Sequence, residues 1–417
     1  MLGSTKIKET RNPDVIVVGG GPAGSFAALQ LAKKGISTVV FEEHSDIGVP
    51  SHCAGHISIR SLKKMGFYPL PEEGILENTF SAANFYSPYG TKFCLHLNNP
   101  VTLAINRTRF DQYLAKEANR IGAIFKTNTK VQSLLFSGGF VKGVGITNSA
   151  GCRESRYSKI VIDAEGISSR LIRQASLQPF KPNGLVYAVE AEVDNIIDVE
   201  DDRVEVYFGK TYAPGFYGWL IPRKDGSGKL GLATNKGNPL EFLKKLIKKH
   251  PVASKQLFKV KINQISYHSI TIGGPIKKAF NNGFLAVGDC ASQVKPTTGG
   301  GVIFGMTCAK IAAEVASMAL QKGDVSEHLL KVYQQRCNNL TRLDFAVMLR
   351  IRRFLNTLSD VKLDQMLRIC GRLGVDKALK NIDEIDFQGK MLLTASRKPP
   401  MIAALLYFGL LYLAANP

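Results

Sequence analysis

Acidic residues are scarce in this chain. It carries 34 Asp and Glu against 54 Lys and Arg over 417 residues, a formal net charge of +20. An excess of that size favours an anionic partner: nucleic acid, an acidic membrane surface or a phosphorylated substrate. Zinc-finger spacing, an RNA-recognition signature and a basic tail are all missing, so no nucleic-acid partner is expected. The seven cysteines, at 53, 94, 152, 290, 308, 337 and 370, form no C-x-x-C pair, and no metal site is expected. Their odd, scattered set reads as reduced thiols of a cytoplasmic protein. Cys308 and Cys337 remain open as two buried thiols or one disulfide. The first twelve residues lack the apolar core of a secretory signal, in keeping with that location. Internal repeats are absent too, and tryptophan occurs once, at position 219.

What is present concentrates first between Pro13 and Glu43. Asp14 to Val18 is an apolar, β-branched run, the pattern of a strand buried on both faces. Gly19, Gly21 and Gly24 then occupy the positions of a G-x-G-x-x-G turn, with Pro22 and Ala23 between them. There the first glycine makes the sharp turn. The second lets backbone approach a pyrophosphate, and the third lets helix pack on strand. A helix predicted from about Pro22 to Lys34 starts at this turn, so its free N–H groups and dipole face the phosphates. A second strand, Thr38 to Phe41, ends at Glu42, close to the interval of roughly 20 residues at which such folds keep a ribose-binding acid. Strand, turn, helix and acid together predict a dinucleotide site, equally open to NAD and FAD.

Beyond Glu43, the Gly-, Pro- and Ser-rich stretch 44–58 predicts irregular chain. A short helix is predicted over Ile59–Met65, and a hairpin over 80–98 around Pro88-Tyr89-Gly90. Phe110, Tyr113, Leu114, Ala118 and Ile121 recur at helical spacing from Thr108, closing at Gly122. Residues 157–166 read as a further buried strand. From 184 to 235 come four strand-like runs without helical pattern between them, which predicts an antiparallel sheet. Phe242, Leu243, Leu246 and Ile247 then share one face of a helix whose other face is Lys244, Lys245, Lys248 and Lys249. That basic face fits solvated surface or membrane contact. Strand, polar turn, glycines and long helix recur over 283–320, with Gly300, Gly301 and Val302 at a second helix N-terminus suited to an anion. From Glu327 the chain is predicted helical. Its last run, Met401–Ala415, is apolar all round and shorter than the about 20 residues a membrane span needs. A buried core helix and shallow insertion in one leaflet both fit it.

Three separated segments carry a resemblance. The opening turn, Arg107 with Phe110 and Asp111 in an R-x-x-F-D pattern, and Gly288-Asp289 before the glycine run resemble the FAD-dependent oxidoreductases of the aromatic-hydroxylase type. A middle motif departs from that family: Glu165-Gly166, followed by Ser168, Ser169 and Arg170, has Glu where Asp is usual. Finer features resemble one branch, the geranylgeranyl reductases that saturate prenyl chains of archaeal membrane lipids. Pro50-Ser51-His52-Cys53 matches its P-x-x-C motif, although Ala54-Gly55-His56 departs from the glycines usual after it. Tyr217-Gly218-Trp219-Leu220-Ile221-Pro222 matches its aromatic-x-Trp-x-apolar-Pro motif, with Ile221 for the commoner Phe. "VKPTTGGG" is close to its proline-then-glycines run.

The resemblance implies an α/β fold: a Rossmann-like FAD-binding domain (1–183 and 273–325), an inserted antiparallel-sheet substrate domain (184–272) and a helical C-terminal region (326–417). It implies FAD as cofactor. Gly19, Gly21, Pro22, Ala23, Gly24 and Glu42 are expected on its adenosine and pyrophosphate half, with Arg107 and the backbone of Val131. Asp289, Gly300, Gly301 and Val302 are expected on ribitol, diphosphate or flavin, and Cys53 and Ala54 near the isoalloxazine. Cys53 is the expected catalytic residue, as proton donor or positioning thiol, beside the plain reading of a buried small hydrophobe. Tyr217, Trp219 and Pro222 are expected to wall the substrate, though aromatics there also suit simple sheet packing. His52 and His56 are weaker candidate acids. The implied activity is FAD-dependent saturation of geranylgeranyl double bonds, with NAD(P)H or ferredoxin as donor. Its substrate is a prenylated lipid or prenyl diphosphate, met by a monomer peripherally associated with the membrane. A flavin monooxygenase or halogenase is the enzymatic alternative, against which Tyr217 stands where halogenases carry Trp. A membrane-docked electron carrier to quinone is the other.

Overall fold

The computed structural model describes residues 12–70 and 74–413; the opening residues 1–11 and the end of the last apolar run, 414–417, lie outside the described residues. β1 (Val15–Val18) runs into α1 (Pro22–Ala32) and returns through β2 (Thr38–Phe41). The stretch after it is irregular only to Gly55. Its end forms β3 (His56–Ser58), and Ser58 caps α2 (Ile59–Met65) by accepting the Ser61 N–H. Four short strands follow: β4 (Leu76–Phe80), β5 (Ala82–Tyr86), β6 (Lys92–His96) and β7 (Thr102–Ile105). Asn106 caps α3 (Arg107–Arg120). The chain continues through β8 (Ile124–Lys126), β9 (Lys130–Ser137), β10 (Phe140–Thr147), β11 (Arg153–Tyr157) and β12 (Ile160–Asp163) to α4 (Arg170–Gln174).

The four runs between 184 and 235 are strands: β13 (Leu185–Asp194), β14 (Arg203–Tyr207), β15 (Gly218–Pro222) and β16 (Gly228–Thr234). Then come α5 (Pro239–Lys249), α6 (Ala253–Gln256), β17 (Lys261–Thr271), β18 (Phe280–Asn281), β19 (Phe284–Ala286) and α7 (Val302–Lys322). The remainder is helical: α8 (Glu327–Thr357), α9 (Asp360–Arg372), α10 (Val375–Leu379), α11 (Gln388–Ala395) and α12 (Pro399–Leu413).

One sheet has the order β18-β19-β12-β1-β2-β8, parallel but for the β18 edge. Its central strands are buried on both faces, which is why they read as unbroken apolar runs. Helices α1 and α7 lie against it in the same core. Although α7 is long and apolar enough to cross a membrane, Phe304, Met306, Ala309 and Ala312 are fully buried, and it serves as the central core helix. Cys308 of α7 and Cys337 of α8 are free thiols lying against each other in that core.

The second sheet, β17-β13-β16-β15-β14-β5-β6, corrects the expected domain boundary. The 80–98 hairpin was assigned by position to the nucleotide domain, yet β5 pairs with β14 and extends the substrate sheet. That pairing is parallel, so the sheet is mixed rather than wholly antiparallel. The edge of β14 supplies the hydrogen bonds β5 needs, and such long-range pairing leaves no local signal. Leu243, Leu246, Ala253 and Leu257 seal one face of this sheet, so the apolar side of α5 packs inward and its lysines face out. The opposite face looks toward the nucleotide domain.

Phe93 of β6 also anchors the last helices in a separate apolar cluster. Helix α12 is only half embedded there. Met401, Ala404 and Leu411 are buried, whereas Leu406 and Leu410 are 67% and 65% exposed, with Ile402 and Leu405 beside them.

Candidate active site

The turn after β1 is built for a phosphate. A Cβ on Gly24 would lie 1.9 Å from the Gly19 carbonyl oxygen, so only glycine lets α1 pass this close to the strand. Gly21 caps α1 without a side chain and has open space before it, so the first N–H groups of the helix are left to a ligand. Past β2, the Glu42 carboxylate accepts the Gly20 N–H at 2.7 Å and the His44 N–H at 3.0 Å, which holds it at the edge of this turn. Val131 is the second residue of β9, and its carbonyl accepts from the Arg170 guanidinium at 3.2 Å.

Arg107 is the first residue of α3. It is clamped to Asp111 by two hydrogen bonds, 3.1 and 3.0 Å, and lies against the Cys53 thiol. Burial opposes its charge, but Asp111 and Cys53 outweigh that and raise its pKa. The departure at Glu165 has a local explanation. One of its oxygens accepts the Leu171 N–H at 2.7 Å, in the first turn of α4, so it works as a helix-end acceptor.

Asp289 follows β19 on a short 3-10 turn. It is half-buried, its carboxylate accepts no hydrogen bond among the described residues, and desolvation raises its pKa. A Cβ on Gly301 would meet it at 2.8 Å, and one on Gly300 would meet the Lys295 side chain at 2.7 Å. Gly301 caps α7 without a side-chain hydrogen bond. An uncapped helix end, an open glycine turn and a half-buried carboxylate without a protein donor fit FAD: its pyrophosphate would lie at α1, its ribitol hydroxyls at Asp289 and its flavin edge at the start of α7.

Strand alternation decides what faces this cradle from the sheet. Tyr217, Trp219 and Ile221 lie on one face, packed in a cluster that includes Ala54 of the Cys53 loop. Gly218 and Leu220 lie on the other, under Leu246 of α5. Pro222 shares their parity, and the structure does not bring it to the aromatic face. Tyr217 donates to the Thr298 carbonyl at 2.8 Å and so ties the sheet to the glycine run. Arg352 of α8 stacks on Phe216 at 4.4 Å from behind.

Two residues on this face carried no motif and escape sequence reasoning. Glu190 of β13 accepts the Trp219 indole N–H at 3.2 Å. The indole reaches it by crossing Gly231 of β16, where a Cβ would stand 2.2 Å from the ring. Burial pushes the Glu190 pKa up to about 7, against the pull of Lys229 and the indole. His268 of β17 stacks on His52 with ring centroids 6.4 Å apart, and the Nδ1 atoms of both are buried without partners. His56 stands exposed with its ring bonded to Thr102, whereas burial lowers His268 to about 4. At pH 7 such an imidazole is protonated only about once in a thousand. His268 is thus a neutral wall, and Glu190 holds a proton near neutrality on this face.

The comparisons with known proteins agree with this geometry. The FAD binding domain family profile matches residues 12–343. Digeranylgeranylglycerophospholipid reductase 2 of Methanothermobacter thermautotrophicus is 34% identical over 363 residues, covering 85% of this chain and 91% of its own length. The Methanocaldococcus jannaschii digeranylgeranylglycerophospholipid reductase is 31% identical over 391 residues, 93% and 96% of the two chains. Among solved structures, a geranylgeranyl bacteriochlorophyll reductase-like protein of Thermoplasma acidophilum superposes with a TM-score of 0.84 at 25% identity, covering 95% and 99%. A flavin-dependent brominase superposes with a TM-score of 0.71 at 19% identity over 88% and 93%, a likeness of fold alone. Since those reductases align across nearly their whole length and the FAD profile spans both sheets, the chain belongs to the digeranylgeranylglycerophospholipid reductase family of FAD-binding proteins.

Proposed function

We propose that this chain is an FAD-dependent reductase that saturates the geranylgeranyl chains of a glycerophospholipid at the face bearing Trp219. FAD, bound at this cradle and reduced, would supply the hydride. Alkene reduction also consumes a proton, delivered where water is excluded. Glu190 holds that proton at its carboxyl, and the Trp219 N–H fixes its orientation. The Cys53 thiol, lying against Arg107, positions the reacting segment of the chain, while Tyr217 and Trp219 wall it. Neutral His268 and the apolar residues bind a hydrocarbon by area, at about 25 cal/mol per Å².

The observation that carries this reading is the Glu190–Trp219 hydrogen bond on the sheet face that packs with Ala54 of the Cys53 loop. Anaerobic incubation of dithionite-reduced holoprotein with a digeranylgeranyl phospholipid tests it. Product mass rises by about two units per saturated bond; an unchanged mass with this lipid and with geranylgeranyl diphosphate rejects it. We further propose that the protein works from the cytoplasm as a peripheral membrane protein. The exposed Ile402, Leu405, Leu406 and Leu410 of α12, with a net charge of +20, support docking on anionic lipid.

A further inference from the structure

A cleft of about 1280 Å³ lies outside the site just described, between the outer sides of α1 and α7 and the arm formed by α8, α10 and α11. Its volume exceeds the roughly 300–1,000 Å³ of ordinary small-molecule sites. The lining of α7 runs from Ile303 to Glu314, which makes the cleft about 17 Å long by helical rise. Phe26, Ile303, Ile311 and Met391 give it an apolar floor. Its rim is basic: seven of the lining residues are Lys or Arg and three are acidic. All three acids are paired, Glu314 with Arg336, Asp383 with Arg60, and Glu384 with Lys64. Lys33 and Lys310 stand exposed and make no ion pair among the described residues. Lys64 and Lys390 both lie over the Phe387 ring, at 5.7 and 5.2 Å.

We propose that this cleft is a second lipid site, which seats one anionic phospholipid with its hydrocarbon on the Phe26–Ile311 floor and its phosphate at Lys33 and Lys310. Phe26, Ile303, Ile311 and Met391 offer a hydrocarbon apolar surface, while Lys33 and Lys310 offer full charges to a phosphate. The occupant has a route from the bilayer. Helix α11, which supplies Met391 and Ala395 to the cleft, leads within four residues into α12 with its exposed leucines. At its other end the cleft begins at Ile303, one residue past the Val302 start of α7. A lipid held here is thus stored beside the flavin end of α7 without occupying the Trp219 face. The identity of the occupant rests on the reading of the protein as a lipid enzyme; the site itself does not.

The test is a binding measurement on holoenzyme. A Met391→Trp reporter is titrated with phosphatidic acid carrying brominated chains, in mixed micelles, against the wild-type blank that holds only Trp219. Saturable quenching at one lipid per chain is expected. Weakening by about tenfold or more is expected for a Lys33→Glu/Lys310→Glu double variant and for brominated phosphatidylcholine. Inorganic phosphate alone is expected not to compete at equal concentration. The same double variant without the reporter, followed by calorimetry, covers the case in which the tryptophan disturbs the helix. Quenching that never saturates, or that is equal for both lipids, overturns the proposal. So does the absence of lipid binding alongside capture of an acidic electron-transfer protein that the double variant abolishes. No quenching with intact prenyl reduction removes the cleft alone; quenching without prenyl reduction leaves the cleft and removes the assignment of the Trp219 face.

Discussion

Replacing Glu190 by Gln separates the two consequences of burying a carboxyl. Gln keeps an oxygen for the Trp219 N–H but carries no proton to give. If Glu190 is the general acid, turnover falls by about 10²- to 10⁴-fold, while the bound flavin spectrum is unchanged. Stability moves the other way. A carboxyl raised from 4.5 to about 7 by burial costs on the order of 3 kcal/mol to ionise inside the fold. Between those pH values the folded chain keeps a proton that the unfolded chain releases, so the wild type loses stability as pH rises through that window. The variant has nothing to ionise. It therefore matches the wild type on the acid side and exceeds it by up to about 3 kcal/mol at pH 8. That figure is an upper bound, because Lys229 loses a neighbouring charge, although it retains Glu77 at 2.9 Å. Urea denaturation of FAD-loaded protein at pH 4.5 and pH 8, with anaerobic turnover, measures both effects. The wild-type rate should also decline as pH rises through about 7. Full turnover by Glu190→Gln, or an equal stability difference at both pH values, refutes the assignment.

Three further outcomes are expected. Gly231→Ala places a Cβ 2.2 Å from the indole, so Trp219, the single tryptophan, is displaced from Glu190; an emission spectrum identical to that of the wild type would contradict this. Cys53→Ala should retain FAD while slowing prenyl reduction by about 10²-fold or more, measured by product mass after single turnover; wild-type rates would return Cys53 to a packing role. Leu406→Glu with Leu410→Glu should weaken co-sedimentation with phosphatidylglycerol vesicles on the order of 100-fold, since two leucines are worth about 3 kcal/mol of burial or more. Unchanged sedimentation would exclude α12 as the docking face.

Local pattern carried far in this chain. The turn at Gly19–Gly24, the Ile59–Met65 helix and the four strands from 185 to 234 each answer to periodicity or to residues with fixed backbone preferences, and each lies where expected. Asp289 and the glycine run were also legible, because a second uncapped helix N-terminus repeats the logic of the first. The β5–β6 hairpin was visible as a hairpin but not as part of the sheet it joins. Pro222 was grouped with Trp219 by motif, and strand parity separates them. Glu190 and His268 belong to no motif at all; each is an ordinary polar residue in a strand until its neighbours are known.

By itself, then, the sequence determined which segments are helix, strand or phosphate-binding turn, and through motif resemblance, that the cofactor is FAD. These depend on interactions within a few residues. Only tertiary structure decided which sheet face packs with Ala54 of the Cys53 loop, that Gly231 opens the path from Trp219 to Glu190, and that α7, α11 and their neighbours enclose a basic cleft. Those depend on backbone pairings and burial between residues distant along the chain. Burial is also what moves the Glu190 carboxyl to about 7 and the His268 imidazole to about 4.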